Sequence, residues 1–279
     1  MLTQGDRPLQ VAAAVNGVLA HDPPPLEVIV VGNGRPVDVS LFDKLVGTVD
    51  LPDNVGIPAG RNVGAAQASG DVLVFLDDDA ETTAADTTGK IAQAFAEDTG
   101  LGAMSFLIRD PESGAVSSRH VPTVGGRHPE RVQEVTTFLG GACAIRRAAF
   151  EACGGLPGQF FYAHEETDLA WRMLDQGWSI RYSPEVAFTH PRTEPSRHAG
   201  AVRHAARNRV WLAKRNLPIL IAPVYVLVWT AITALRGPSN IGAHLGGTLE
   251  GLRQPCPPRR PMSWRTVWRM TQLKRPPII

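Results

Sequence analysis

Two clusters of carboxylates stand out for the chemistry they could do. The first closes an apolar run, Val72-Leu-Val-Phe-Leu-Asp77-Asp78-Asp79-Ala80. Adjacent acids repel one another and lose hydration, so an offsetting charge is needed. A divalent cation supplies it well, because hard cations prefer carboxylate oxygen. The competing reading is a solvated acidic turn that caps the next helix through Asp79 or Thr82. The second cluster is His164-Glu165-Glu166-Thr167-Asp168, opening an amphipathic helix that runs through Leu174 to Gly177. Acids in a helix's first turn are favoured by the dipole. Here they crowd beside aromatic residues and exceed what capping requires, so one could act as a general base toward a hydroxyl. Arg172 follows Asp168 at i+4, a structural pairing. His190 ends a short strand and is structural unless a metal at Asp77–Asp79 recruits it.

The elements that must position these residues follow from periodicity. The run into Asp77 is short, apolar and rich in β-branched and aromatic residues, which predicts a buried strand of a parallel sheet. Ligands of open α/β sheets gather at the carboxyl ends of such strands. Arg7 to Ala20 has helical spacing with Pro8 in its first turn. Leu26–Val31 is a strand ended by Gly32-Asn33-Gly34. A dinucleotide fingerprint fails there for want of a third glycine and a helix start, although a nucleotide base could still lie on the turn. Residues 47–70 are glycine-rich, with a short helix over Arg61–Ala68, where Arg61 could meet a diphosphate through its planar fork. Further elements are a helix over Thr83–Glu97, a strand over Leu101–Ile108 and a hairpin and loop over 109–135. Thr136–Ile145 reads as a strand broken at Gly140-Gly141, and Arg146–Ala152 as a helix. Glycine inside a strand marks close approach of a ligand or another backbone. Ser179–Pro184 and Val186–His190 read as short strands. Alternating strands and helices predict an α/β fold with a mixed, mainly parallel sheet flanked by helices.

The 279 residues, 43% hydrophobic and 20% charged, suit one large globular domain or a domain with an appendage. A net charge of +1 argues against a general nucleic-acid binder. Cys143, Cys153 and Cys256 show no metal spacing and predict buried thiols in a reducing compartment. Met1-Leu-Thr-Gln-Gly-Asp6 is too polar to read as a secretory leader.

An apolar strand ending in Asp-Asp-Asp, a Gly-Gly strand before a short helix, a Glu-Glu-x-Asp-Leu-x-x-Arg helix and a strand ending in His occur here in that order. The ordered set resembles the family 2 glycosyltransferases of bacterial type and GT-A fold, over roughly residues 1–215. The resemblance implies an inverting transferase that uses a nucleotide-activated sugar with Mg²⁺ or Mn²⁺. On that mapping Asp77 and Asp78 lie near ribose and base, and Thr3, Asp6, Asn33 and Arg61 belong to the donor site. Asp79 binds the metal and His190 resembles its second ligand. Glu166 matches the base position, where many members have Asp, and Glu165 and Asp168 flank it. The family opens with a full apolar strand, whereas only Met1-Leu2 precede Thr3. The expectation is therefore a first strand nearly absent, or a true start further upstream.

Beyond that domain, Arg197–Arg215 reads as a basic helix, and Leu217–Leu235 is free of charge over a length that borders on a membrane span. Its flanking Lys214, Arg215 and Arg236 suit spanning or lying in the interface. No acid follows Glu250, while arginines, prolines, Trp264 and Trp268 do, a composition that suits an anionic lipid surface. Residues 216–279 thus form a membrane-associating appendage to a 1–215 transferase domain. The protein is expected on the cytoplasmic side, peripheral or monotopic on the inner face of the cell membrane, with a glycan or lipid-linked acceptor of the cell envelope. Two other readings stand: a sugar nucleotidyltransferase, which would carry a Gly-rich basic loop where Thr3–Pro8 lies, and a degenerate transferase that binds nucleotide or a partner without turnover.

Overall fold

The computed structural model describes residues 1–42, 46–191 and 200–278. Its elements in chain order are β1 (Leu2–Thr3), α1 (Pro8–Leu19), β2 (Val28–Asn33), β3 (Val46–Leu51), α2 (Ile57–Gln67), β4 (Val72–Leu76), β5 (Glu81–Thr82), α3 (Thr87–Glu97), β6 (Leu101–Arg109), β7 (Gln133–Glu134), β8 (Ala142–Arg146), α4 (Arg147–Ala152), α5 (Glu165–Asp175), β9 (Ser179–Thr189), α6 (Ala201–Asn216), α7 (Ala222–Arg236), α8 (Ile241–Arg253) and α9 (Trp264–Gln272). The expected α/β architecture is present, a mixed sheet flanked by helices with further helices at the C-terminal end. One half is a parallel sheet, β1-β2-β3. The other has the order β4-β8-β6-β9-β5, with β6 and β9 parallel and the remaining pairs antiparallel. A bridge between Leu2 and Asp77 joins the two halves. The acidic run therefore sits where the parallel half meets the antiparallel half.

Several local expectations shift. β4 pairs antiparallel with β8, not with a parallel neighbour. An apolar run reports burial, not the direction of the partner strand. Val74 is in fact exposed, because β1 is only two residues long. Behind Met1 the facing edges of β2 and β4 line an apolar cleft of about 200 Å³. Residues 136–141 run as a loop into β8, and the two predicted strands near 179–190 form the single β9. The helix after the acidic run starts at Thr87, with Asp86 at its N-cap position, so neither Asp79 nor Thr82 caps it. α2 begins at Ile57, behind Gly56 and with Pro58 in its first turn, so Arg61 lies inside it. Of the basic helix, Arg197 lies outside the described residues and α6 begins at Ala201.

The core lies on both faces of the sheet. Ile145, Cys143, Ile180 and Tyr182 pack with Leu169, Met173 and Leu212 from α5 and α6 on one side. Phe95, Phe106 and Phe188 pack around α3 on the other. Tyr225, Met262 and Met270 from the C-terminal region belong to the first cluster. Among the described residues no helix is long and apolar enough to cross a membrane.

Candidate active site

The acidic run leaves β4 at the joint between the half-sheets, and three cations, Arg61, Arg7 and His190, share its three carboxylates. Arg61, 6% exposed, donates from Nη2 to Asp77 Oδ1 at 2.7 Å and from Nη1 toward Glu166 Oε1 at 3.5 Å. Arg7 donates to Asp78 Oδ1 at 2.5 Å and also to Asp79. His190, at the end of β9, places Nε2 3.0 Å from Asp79 Oδ1 and 3.5 Å from Asp77 Oδ2. The cations decide how the acids titrate. Burial works to raise Asp77, but Arg61 and then His190 overcome it and hold that carboxyl well below its usual range. Asp79 is likewise held low against burial by His190 and Arg7. Asp78 goes up, because burial outweighs the Thr3 hydroxyl and Arg7. Burial works to lower His190, yet its two carboxylate partners lift it to about 10.

A divalent cation fits this group. Ligand atoms of Asp77, Asp79 and His190 all lie within 4.8 Å of one another, and two carboxylates with one imidazole suit a hard or borderline ion. Asp77 thus faces the candidate metal position as well as Arg61, a double placement that spacing in sequence does not reveal.

Gly140 and Gly141 explain how the acidic run and α5 come together. A Cβ on Gly140 would meet Glu166 Oε1 and Arg61 Nη1 well inside van der Waals contact, and one on Gly141 would lie 2.6 Å from Asp77 Oδ2. The side chains of Arg61, Asp77 and Glu166 lie directly over glycine backbone; the expected close approach is there, but it is made by side chains over a loop and not by a ligand or backbone within a strand.

On α5 the three acids separate by role. Glu166 is half-buried at a cavity of about 300 Å³ whose walls include Arg119, Thr137, His164 and Arg275. Its pKa is raised by burial, which Arg61 opposes. Glu165 is 2% exposed, with Oε2 unpaired, and is pushed up to about 8 by burial and by Glu166. Asp168 is fully buried. It accepts from Arg172 Nε at 2.8 Å and from Asn216 Nδ2 at 2.7 Å, and it pairs with Arg215 at 3.3 Å. That network ties α5 to α6.

The entry to α5 is unusual. Phe161, Ala163 and His164 all have positive φ, between 64° and 70°. Non-glycine residues adopt this region at a cost and persist there only when their surroundings hold them. Asn208 on α6, fully buried, does the holding: its Nδ2 donates to the carbonyls of Phe160, Tyr162 and Ala163 at 2.7–2.9 Å.

The remaining predicted residues cluster at the ends of β1 and β2. Thr3 is buried and its hydroxyl bonds Asp78. Asp6 and Asn33 border a cavity of about 290 Å³ with Gln4, Arg35 and Asp53. Asn33 is engaged internally, accepting from Val55 N at 2.9 Å and donating to Asn54 Oδ1 at 3.0 Å, which fixes the loop before α2. Sequence reasoning passed over Arg7 and Asn208. For Arg7 the signal was its place in the Asp6-Arg7-Pro8 turn. Asn208 gave none beyond being a polar residue in a helix.

The fold is that of the GT-A glycosyltransferases. The model of glycosyl transferase family 2 matches residues 6–154, and the chain belongs to that family. It is 29% identical over 249 residues to an O-antigen biosynthesis protein, RfbC, of Myxococcus xanthus, an alignment spanning 76% of this chain and 19% of that protein. It is 24% identical over 261 residues to a pre-mycofactocin glycosyltransferase of Mycobacterium tuberculosis, spanning 82% of this chain and 52% of that one. The chain therefore spans only part of these curated relatives. Among solved structures it is similar to the mannosyltransferase PcManGT of Pyrobaculum calidifontis in complex with GDP-Man and Mn²⁺, with TM-score 0.58 and 19% identity over 92% of this chain and 75% of that one. It is also similar to residues 1–349 of TarS from S. aureus, with TM-score 0.62 and 15% identity over 90% of this chain and 79% of that one.

Proposed function

We propose that this chain is an inverting glycosyltransferase that moves a sugar from a nucleotide-sugar donor to a hydroxyl acceptor. The observation that carries the reading is Arg61, whose one guanidinium reaches both Asp77 and Glu166. It links an acidic, cation-ready end to a carboxylate facing a separate cavity, as a two-substrate transfer requires.

The cavity bordered by Asp6, Asn33 and Asp53 takes the nucleoside, and Thr3, hydrogen-bonded to Asp78, belongs to the same donor side. Asp79, His190 and Asp77 hold a Mg²⁺ or Mn²⁺ ion, which when bound neutralises charge on the diphosphate. Arg61 adds a fixed positive charge on the same side. Glu166 takes the proton from the acceptor hydroxyl, whose oxygen attacks the anomeric carbon opposite the breaking bond to the diphosphate. The new C–O bond has inverted configuration and a nucleoside diphosphate departs. A raised pKa improves Glu166 as a base near neutrality. Glu165 stays protonated and buried, and Asp168 orients α5 without meeting substrate.

In this proposal residues 1–215 carry the transfer, and residues 216–279 hold the enzyme to the inner face of the cell membrane beside an envelope or lipid-linked acceptor. The name of the Myxococcus relative supports the envelope reading.

The test is a thermal-shift panel of UDP, GDP, dTDP and CMP, each with Mn²⁺ or with EDTA, on the wild type, Asp79→Ala and Glu166→Gln. A ligand of the native state raises the melting point by mass action. One nucleotide should give a metal-dependent shift that Asp79→Ala loses and Glu166→Gln keeps, while Glu166→Gln releases no nucleoside diphosphate in the presence of acceptor. No shift with any nucleotide, or turnover by Glu166→Gln, would refute the assignment.

A further inference from the structure

Helices α7 and α8 present outward faces that solvent does not explain. On α7 the exposed side includes Val224, Leu227 (69% exposed) and Leu235 (84%). On α8 it includes Leu245, Leu249 and Leu252. The spacing within each set is that of a single helical stripe. Neither stripe is a misplaced core. The inner side of α7 is already filled by Tyr225, which is buried, and by Trp229, over whose ring Arg209 of α6 stacks at 3.7 Å. The inner side of α8 lies flush on α6: a Cβ on Gly251 would come within 2.7 Å of the Arg207 carbonyl and of Val210. Both helices thus have α6 behind them and their leucines pointing away from it.

The charge around these stripes identifies what covers them. α7 contains no Asp or Glu, and the one acid of α8, Glu250, is paired with Arg203. Each helix closes on an exposed arginine, Arg236 and Arg253, and neither forms an ion pair among the described residues. A protein interface of this size has a polar rim with hydrogen-bonding partners. These stripes offer aliphatic carbon ended by free cations, the pattern of a helix lying in a bilayer interface. At 1.5 Å per residue, α7 is roughly 22 Å long, short of the ~30 Å hydrocarbon core, so it lies flat and does not cross.

We propose that the α7–α8 face docks on an anionic lipid surface, with the leucines at the acyl boundary and Arg236 and Arg253 on lipid phosphates. This rests on the peripheral location proposed above and is independent of the transfer chemistry. It differs from the sequence expectation in its site. α8 enters, and α9 is held to the domain through Arg269–Glu134 and through Ser263 and Thr266 on Asp175.

The test is flotation of the full chain with phosphatidylcholine vesicles, with and without phosphatidylglycerol. The wild type should float with the anionic vesicles. Arg236→Gln/Arg253→Gln should weaken that binding by about 20-fold, and Leu227→Glu/Leu249→Glu by more. Melting points should confirm that the variants fold, and an unchanged nucleotide shift in both separates failure here from failure of the donor site. A wild type that stays with the soluble fraction, or leucine variants that float as well as wild type, would overturn the proposal. So would a wild-type dimer, split by Leu227→Glu/Leu249→Glu, that ignores vesicles, since a second copy would then cover the face.

Discussion

Replacing Gly140 by alanine tests whether the glycine pair is there for the site or for the fold. The added methyl meets only the ends of two side chains, Glu166 Oε1 and Arg61 Nη1, and both would have to retreat by about 1 Å or more to reach ordinary contact near 3.4 Å. No backbone atom stands among its nearest neighbours. Stability should therefore barely change. The pair that is disturbed, Arg61–Glu166, is long at 3.5 Å, and alanine recovers some stability by restricting the unfolded chain. The melting point should stay within about 3 °C of wild type. Turnover should not survive, because moving a base by about 1 Å costs on the order of 100-fold. Gly141→Ala gives the contrast, since its methyl would lie 2.6 Å from Asp77 Oδ2 on the cation side. It should weaken the Mn²⁺-dependent nucleotide shift most, whereas Gly140→Ala, which displaces Arg61 Nη1 but none of the Asp77, Asp79 and His190 atoms, should reduce that shift less. The assays are nucleoside diphosphate release at saturating donor and the thermal-shift panel. Wild-type turnover by Gly140→Ala, or the same defect in both variants, would refute the division of the site into a base side and a cation side.

Asn208→Ala removes the donor to three carbonyls of a strained entry, and should cost about 2–4 kcal/mol by urea unfolding. Asp168→Ala leaves Arg172 buried without its carboxylate and should destabilise by about 3–5 kcal/mol; a variant of wild-type stability would show that the network does not hold α5. Glu165 has a folded pKa near 8, above its ordinary value of 4.5. The linked stability is therefore fully present below about pH 4.5 and is lost as pH rises through 8. Melting curves across that range should converge for wild type and Glu165→Gln at the acid end, with the variant more stable at pH 9; parallel curves would place Glu165 in water.

The resemblance found the site's parts because they lie at chain positions that secondary structure fixes. A strand end puts Asp77–Asp79 at the edge of the sheet, a helix start puts Glu166 within reach of Arg61, and a second strand end brings His190 to Asp77 and Asp79. Those are local facts, and periodicity reads them. What stayed hidden depends on which chain segments meet. The short β1 was expected from the two residues before Thr3, but the antiparallel partner of β4 and Asn208 beneath the α5 entry are long-range pairings with no local signature, and the Arg7 clamp on Asp78 and Asp79 showed only as the Asp6-Arg7-Pro8 turn. The division among the α5 acids belongs to the same class. Glu165, Glu166 and Asp168 look alike in sequence, but the helix turns them toward three environments. One is buried beside another acid, one faces a cavity and one is locked to Arg172, Arg215 and Asn216. The carboxylate locked by two arginines serves as a strut, and the one sealed beside another acid is pushed up to about 8. Of the three, only Glu166 combines access to a cavity with a pKa raised by burial, which is why the proposal gives it, and not its neighbours, the role of base.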